Sequence, residues 1–539
     1  MPKERYHYES RFLDFANPTK ETTGCSNPTK YHFDDPRFPS LTDPQQAWSC
    51  GPVLRNPSFK NFSPRVGFAW DVTGKGKTAI RSGFGLYQEL VNSGSAIMQI
   101  ALSMPPYSTQ SSVISNPTRK ELSLPLTFGP GDLGNRLQTM AYDIQQEHSL
   151  QYNFTVEQQM PFGTGLAVSY VGLRGLHLWQ VREGNPIPPT DIVNGAPAWF
   201  PFLCGGVRSA VNCSGAVPNP AYQRINPAYA SFIRDTTGAD SWYNSLQVVL
   251  NKRLSRGLEF QSAYTWSKSL DTTQGQFYFA ECADTGGVEG ASPLNARLDK
   301  GPSCFDLKHN WHLNLLYHFP NVKSDNFAAK FLHGWWMGNI LTAQTGYPFT
   351  PLLTAGRSNN GVFSGQGATG IVDRVNVGTD TTSATFRCSG TGSAFPGAPP
   401  CSGGSVTYNY IPFDPHKVIT GDPNGWFNPL MFRLEPAGFL GNASRGMLRG
   451  PGLSTWDVSL NKDTGLRFLG ENAKVQFRLE IFNILNHANF SLPSTIGRVF
   501  TGALTDPAGA SEAPIPNVGK IQTTATSSRQ IQLALKLLF

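Results

Sequence analysis

The feature that most constrains this fold is an alternation of apolar and polar side chains that recurs in segments of roughly ten residues. In "WHLNLLYHF", Trp311, Leu313 and Leu315 alternate with His312 and Asn314. The final segment, "RQIQLALKLLF", follows the same rule. Successive side chains of a strand point to opposite faces, so each segment is predicted to be a strand with one apolar and one strongly polar face.

The connections between these strands alternate between very short and very long. Eleven strands are predicted, at 64–72, 77–87, 148–159, 164–175, 241–254, 257–268, 307–319, 330–348, 453–463, 472–487 and 529–539. Short turns join them in pairs, at 73–76, 160–163, 255–256, 320–329 and 464–471. Long Gly/Pro/Ser-rich loops separate the pairs, near 88–147, 176–240, 269–306, 349–452 and 488–528. A soluble β-sandwich also alternates, but this pattern of connections is typical of an outer-membrane barrel with short periplasmic turns and long external loops.

The composition agrees with a membrane β-structure. The 539 residues include 54 Gly and 41 Pro, and only 15% are charged, which favours many strands joined by turns. An aromatic content of 12% argues against a disordered chain. No apolar run reaches the length of a transmembrane helix, and the net charge of +7 is spread without a basic block, so no nucleic-acid partner is expected. The predicted fold class is all-β, a transmembrane antiparallel β-barrel.

The strand count implies that these strands are half of a barrel. Barrels of a single chain usually have an even number of strands with both ends in the periplasm. If the last strand runs from outside to the periplasm, every short turn becomes periplasmic and the first strand also starts outside. We therefore expect residues 1–60 to be an irregular segment resembling an external loop, and residues 61–539 to be the C-terminal half of a 22-stranded barrel.

The cysteines indicate an oxidising compartment, although the N-terminus, "MPKERYHYESRFLDF", lacks the apolar region of a secretory signal. No C-x-x-C spacing suggests a zinc site; the alternative to disulfides is eight unrelated buried thiols. We predict four local disulfides: Cys25–Cys50, Cys204–Cys213, Cys282–Cys304 and Cys388–Cys401. Three of these pairs lie in the predicted external loops, in agreement with the barrel topology.

The polar faces of the strands would form the barrel interior. The predicted lumen-facing residues are Gln151, Asn153, Glu157, Asn251, Arg253, Glu259, Gln261, His312, Asn314, Arg478 and Glu480. They are interpreted as lumen wall, and ligand contact is expected mainly in the aromatic external loops. No catalytic motif or cofactor motif is present, so we expect neither an enzyme nor a cofactor. His309 and His312 point to opposite faces of a strand, which argues against a shared metal ion.

Four blocks carry a family resemblance: "NFSPRVGFAWDVTGKGKTAIRSGFGLYQE", "YNSLQVVLNKRLSRGLEFQSAYTWSKSLD", "WDVSLNKDTGLRF" and "FRLEIFNILNHANFSLPS". Together they resemble the barrel of TonB-dependent outer-membrane transporters of the Oar-like group, over most of 61–539. The resemblance implies uptake of a nutrient (an oligosaccharide, a siderophore or a peptide) across the outer membrane of a Gram-negative bacterium.

The resemblance also implies partners. These are outer-membrane lipid, the barrel-assembly machinery, which would recognise Leu535, Leu537 and Phe539 as a C-terminal signal, and the TonB complex if a plug domain is present. The plug and the regulatory-like domain of the family are expected to be absent from this chain. The alternatives are a non-transporting surface or adhesion protein and an inactive gene fragment. A soluble secreted binding module is disfavoured because no repeat of 40–50 residues is visible.

Overall fold

The structure is a computed structural model that describes residues 61–88, 145–184, 186–225, 236–273, 295–320, 331–362, 373–381, 410–466, 473–494, 497–502 and 513–538, together with a few short strands and isolated residues elsewhere. Eleven long strands dominate it. They are β1 (Arg65–Asp71), β2 (Thr78–Gln88), β3 (His148–Met160), β4 (Thr164–Glu183), β5 (Ile233–Ser255), β6 (Leu258–Asp271), β7 (His309–His318), β8 (Trp335–Gln344), β9 (Leu453–Gly465), β10 (Lys474–Phe482) and β11 (Gln530–Leu538).

These strands form one antiparallel sheet in which each strand pairs with the next along the chain, from β1 at one edge to β11 at the other. This confirms the predicted all-β class and the eleven predicted strands. Within the described residues β1 and β11 are not paired with each other, so the sheet is open. In the part of the chain that the structure describes, no helix is long and apolar enough to cross a membrane.

Several strand ends differ from the prediction. β4 continues to Glu183 and β5 begins at Ile233, and the two stay paired up to Ile233–Glu183. The loop between them is therefore shorter than the predicted 176–240. In contrast, β8 and β10 are shorter than predicted: Gly334, with φ +77°, precedes β8, and Asn483, with φ +51°, follows β10. A left-handed residue interrupts the extended backbone.

The turn between β5 and β6 illustrates how sequence sets the register of the sheet. It consists of Arg256 and Gly257, with φ of +51° and +79°. A two-residue turn with both φ values positive is of type I′, whose twist matches that of the flanking strands. A Cβ at Gly257 would lie 2.4 Å from the carbonyl oxygen of His318, so glycine is required there for space as well as for backbone conformation.

The hydrophobic core lies in the loops. Described parts of 349–452 and 488–528, predicted only as long loops, pack together into a unit that we call the loop cap. Its fully buried side chains include Phe349, Leu353, Phe427, Phe432 and Phe500. Leu352–Leu353 pairs in parallel with Arg498–Phe500 and joins the two segments. Pro348–Phe349 pairs antiparallel with Leu448–Arg449 and joins the two ends of the first segment. The apolar residues of these loops therefore bury one another, which alternation along the chain does not reveal.

Shorter elements complete the fold. The remaining strands are Arg11–Leu13, Glu21–Thr23, Gln110–Ser112, Gly134–Arg136, Gln138–Met140, Asp191–Val193, Ala196–Ala198, Phe202–Cys204, Val207–Ser209, Val217–Pro218, Gly275–Gln276, Phe279–Ala280, Gly301–Pro302, Asn376–Val377, Ser383–Arg387, Ser405–Asn409 and Phe432–Arg433. The 3₁₀ turns are Pro161–Gly163, Ala296–Asp299 and Pro429–Met431. The first two strands form a small antiparallel pair within 1–60, and most of that segment lies outside the described residues.

Candidate functional site

One face of the sheet carries the polar side chains singled out in the sequence. The cross-strand register joins Asn251 to Gln261 and Gln261 to Asn314 in one row. A second row runs from Glu259 through Leu316, Gly338 and Ser459 to Glu480. The same register and alternation place all eleven predicted lumen-facing residues on this face. That this polar face is the lumen of a closed barrel stays a prediction.

A groove of about 660 Å³ follows the polar face across the middle of the sheet. Its polar lining residues are Asn251, Lys252, Arg253, Glu259, Gln261, Asn314, Asn339, Asp457, Ser459 and Glu480. The lining combines amide groups, carboxylates, one ammonium and one guanidinium, so it offers both donors and acceptors. Among the described residues there is no group of three or more metal-ligating side chains. The groove thus suits a polar solute or a polar protein surface better than a bare metal ion.

Neighbouring strands hold the charges of the polar face in place. The Arg478 guanidinium lies 3.3 Å from Oε1 of Glu480 and donates to Oε1 of Gln476 at 3.2 Å. Gln476 in turn donates to Oδ1 of Asp463 at 2.8 Å, and Lys474 lies 3.4 Å from the other oxygen of that carboxylate. Each of these four charged groups therefore has a partner on its own or an adjacent strand, which fixes its orientation before any solute arrives.

The loop cap is fastened to the long strands by buried ion pairs. Asp299 accepts from Arg182 of β4 at 2.8 Å and from Arg374 of the cap at 2.6 Å. Burial lowers the pKa of Arg374, and Asp299 opposes that shift. Arg445 pairs with Asp271 at the end of β6. A third pair, Arg449 with Asp306, lies just before β7. Removing one member of such a pair leaves a buried charge without compensation, so these contacts determine the position of the cap.

Inside the cap, Asp373 organises the start of a loop. Its Oδ2 accepts the backbone amides of Arg357 at 2.5 Å and Ser358 at 2.7 Å, and its Oδ1 accepts the Ser358 hydroxyl at 2.8 Å. Burial raises the pKa of the Asp373 carboxyl, and these three hydrogen bonds oppose the rise. The fully buried Arg357 side chain donates from Nε to the carbonyl of Glu435 at 2.9 Å. This cluster joins the two ends of the 349–452 segment.

The cysteine prediction is confirmed where the structure describes it. Cys204 and Cys213 form a disulfide in the loop between β4 and β5. Cys304 is disulfide-bonded, and its partner lies outside the described residues. The cysteines that lie outside the described residues are Cys25, Cys50, Cys282, Cys388 and Cys401, so their pairing stays a prediction.

The opposite face of the sheet is apolar and exposed. In β11, Leu533 is 67% exposed and Leu535 is 75% exposed, with Ile531 and Leu537 on the same face. Phe68 and Trp70 of β1 are similarly exposed at the other edge. A contiguous apolar surface of this kind marks contact with lipid or protein, and it matches the apolar band of a membrane barrel. Phe539 lies outside the described residues.

The comparisons with known proteins agree with this arrangement. The family model described as "Outer membrane beta barrel domain" matches residues 5–532. The chain belongs to this family of outer-membrane β-barrel domains, and its location is the outer membrane. A search of curated proteins finds no match.

Solved structures of outer-membrane transporters are similar at low identity. The outer membrane transporter YddB from Escherichia coli is 10% identical, with a TM-score of 0.39 over 88% of this chain and 40% of that one. The FrpB iron transporter from Neisseria meningitidis is 10% identical, with a TM-score of 0.32 over 88% and 39%. A mutant of the ferric enterobactin receptor PfeA from Pseudomonas aeruginosa is 8% identical, with a TM-score of 0.35 over 88% and 40%. This chain therefore spans about two fifths of the length of these proteins.

Sequence reasoning missed the ion pairs that fasten the cap. Arg374 and Asp299 are separated by 75 positions, and Arg445 and Asp271 by 174. Nothing in the local pattern around these residues distinguishes them from solvated loop charges. The only available signal was the position of Asp271, shortly after the end of the predicted strand 257–268.

Proposed function

We propose that this chain is part of a TonB-dependent receptor of the Oar-like group that takes up a nutrient across the outer membrane. The observation that carries the proposal is the preorganised groove on the polar face, which lies in an outer-membrane β-barrel domain. The sequence blocks that resemble the transporter barrel support the same conclusion. The nutrient is an oligosaccharide, a siderophore or a peptide, since the groove offers both donors and acceptors and is not specialised for one charge.

The proposed partners follow from the same class. The apolar face would contact membrane lipid, and the barrel-assembly machinery would recognise Leu535, Leu537 and Phe539 at the C-terminus. Contact with the TonB complex would require a plug domain. No catalytic step is proposed, because transport needs binding and conformational change but no reaction at a protein side chain.

Gene deletion in the native bacterium tests the proposal. The deletion strain would be grown with limiting iron supplied by single siderophores, with single oligosaccharides as the carbon source, or with single peptides as the nitrogen source. We expect the deletion strain to grow poorly on one nutrient class and the wild-type gene to restore its growth. When TonB is deleted from both the wild-type and the deletion strain, the two should grow equally on that nutrient. Normal growth on every nutrient, with loss of surface attachment, would favour the adhesion alternative and contradict transport.

A pair of variants connects the phenotype to the groove. Asn251→Ala with Asn314→Ala removes the two amide side chains that flank Gln261 in one row of the polar face. Leu246→Ala, on the opposite face of β5, is the matched control. We expect slower uptake only for the double variant, at equal amounts of assembled protein in the outer membrane. Equal uptake by both would exclude the groove from the solute path.

A further inference from the structure

On the apolar face, the side chains change from apolar to aromatic, then to polar and charged, in successive rows toward the end of the sheet that carries the long loops. One cross-strand row contains Tyr170, Leu246, Trp266 and His309. Trp266 is 52% exposed and Tyr170 is 45% exposed. Exposed aromatic residues directly beside an apolar band are typical of the membrane interface. Since long loops lie outside the cell in this class of barrel, this row lies at the external interface.

The next row outward is polar. It contains Tyr152, Gly172, Asn244 and Lys268. A Cβ at Gly172 would lie 2.1 Å from the Tyr152 ring, so the missing side chain makes room for that ring. The hydroxyls of Tyr152 and Tyr170 donate to Oδ1 of Asn244, at 3.3 and 2.6 Å. The amide oxygen of Asn244 thus accepts two hydrogen bonds, and because the residue is exposed its amide group can still donate to a ligand.

The third row adds two cations around one aromatic ring. Trp242 is paired with Arg174 across the strands. The Arg174 guanidinium carbon and the Lys300 ammonium nitrogen each lie 3.9 Å from the centre of the Trp242 ring. These cation–π contacts orient both positive groups at the edge of the apolar face. Rows of side chains on one face of a sheet are about 6.7 Å apart, so Lys268 lies one row below them.

The charges at this place do not cancel. Arg174 lies 3.3 Å from Oδ2 of Asp240, which neutralises one positive charge. Lys268 and Lys300 are exposed and form no ion pair with the described residues. The site therefore contains two ammonium groups without a counter-ion, the amide of Asn244 and the guanidinium of Arg174. These groups lie above exposed aromatic rings, at the depth where lipid headgroups lie. Ammonium and guanidinium groups are the usual partners of phosphate.

We propose that Arg174, Lys268 and Lys300, arranged around Trp242 and Asn244, bind the phosphorylated headgroup of a glycolipid in the outer leaflet. The acyl chains of this lipid lie along the apolar face below Tyr170 and Trp266. The lipid is a bound component of the protein surface and is distinct from the solute that the groove would carry. The inference rests on the outer-membrane location, the external position of the long loops and the side-chain arrangement described above, and it stands whether or not the chain transports a nutrient.

Binding of purified lipid A to the detergent-extracted full chain tests this inference, with native mass spectrometry as the readout. We expect bisphosphorylated lipid A to bind and its dephosphorylated form to bind much more weakly. The double variant Lys268→Gln, Lys300→Gln is expected to weaken binding about tenfold to thirtyfold, as the loss of two cation–headgroup contacts implies. The matched control, Lys75→Gln with Lys417→Gln, removes two exposed lysines elsewhere and is expected to bind like the wild type.

Three results would overturn the inference. The first is equal binding of phosphorylated and dephosphorylated lipid A. The second is unchanged binding by the Lys268/Lys300 variant, with heat-modifiable migration showing that it is folded. The third is displacement of the lipid by inorganic phosphate at an equal concentration, which would make free phosphate the ligand. Lys300→Gln alone, which changes a residue outside the long strands, keeps the test informative if the double variant fails to assemble.

Discussion

Oδ1 of Asp299 lies 2.6 Å from the guanidinium of Arg374, and the two side chains are only 5% and 9% exposed. The second carboxylate oxygen accepts from Arg182 of β4. One carboxylate therefore fastens the loop cap to the sheet by two charge-assisted contacts. Exposed loop charges on a protein surface contribute little to stability, so the burial of this triad is what gives it a structural role.

Replacing Asp299 by alanine is expected to release the cap. Two buried guanidinium groups would lose their counter-ion, and a loss of this kind costs about 3–5 kcal/mol. Hydrogen exchange should show faster exchange across the cap, with the long strands unaffected. Asp414→Ala, which removes the half-buried partner of the exposed Lys417, is the control and should change exchange little. Unchanged protection in the Asp299 variant would show that the apolar core alone holds the cap.

The Asp373 carboxyl predicts a pH dependence of cap stability. Burial raises its pKa above the ordinary value of 3.8, so the folded cap holds the proton more tightly than the unfolded segment. Its contribution to stability is therefore complete below pH 3.8 and is lost as the pH rises through the folded-state pKa. Hydrogen-exchange protection of the amides of Arg357 and Ser358, corrected for intrinsic rates, should fall over that range. Asp373→Asn should lack this component, and an identical pH profile in both proteins would refute the assignment.

An arginine substitution is expected to have opposite effects on the two faces of β11. Leu533 lies on the apolar face and Gln532 on the polar face, next to each other in the strand. Leu533→Arg would place a charge against lipid, at a cost of up to about 2–4 kcal/mol near the middle of the membrane. Gln532→Arg keeps the charge on the polar face and should be tolerated. Heat-modifiable migration of outer-membrane extracts measures assembly, and the reverse order of effects would mean that the faces are assigned wrongly.

Alanine substitutions at Gly257 and at Gly195 can distinguish the cost of backbone strain from the cost of a steric collision. Both have positive φ, +79° and +82°, but a Cβ at Gly257 would meet the His318 carbonyl, whereas nothing lies within 4 Å at Gly195. Alanine at either position costs about 1 kcal/mol or more from the backbone. Only Gly257→Ala must also distort the β5–β6 turn and its contact with β7. We expect it to lower the midpoint of thermal unfolding in detergent much more than Gly195→Ala does. Equal midpoints would exclude the collision.

Peptide mapping without reduction checks the remaining cysteine pairs. The Cys204–Cys213 pair is present in the structure. Cys304 is predicted to be linked to Cys282, and Cys25 to Cys50 and Cys388 to Cys401 are predicted as the other local pairs. Reduction should release each pair as two alkylatable peptides. Recovery of a peptide that links two different loops would contradict local pairing.

Alternation along the chain was sufficient to predict the sheet. All eleven strands and the separation of their faces follow from the side-chain period, because an extended backbone sends neighbouring residues to opposite sides whatever their partners are. The sequence also places Tyr170, Trp242, Trp266 and Lys268 in predicted strands. Their grouping into rows became clear only when the register aligned Trp242 with Arg174 and Asn244 with Lys268.

Tertiary structure alone decided the loop cap. The core around Phe349, Phe427 and Phe500, and the contact of Asp299 with Arg182 and Arg374, join positions far apart in the chain. A loop residue has no periodic neighbour that reveals its environment, so burial and charge pairing depend on which segments meet in space. The strands could therefore be predicted from the sequence, because side-chain alternation depends only on residues that are neighbours along the chain. The cap could not, because its geometry is set by long-range packing.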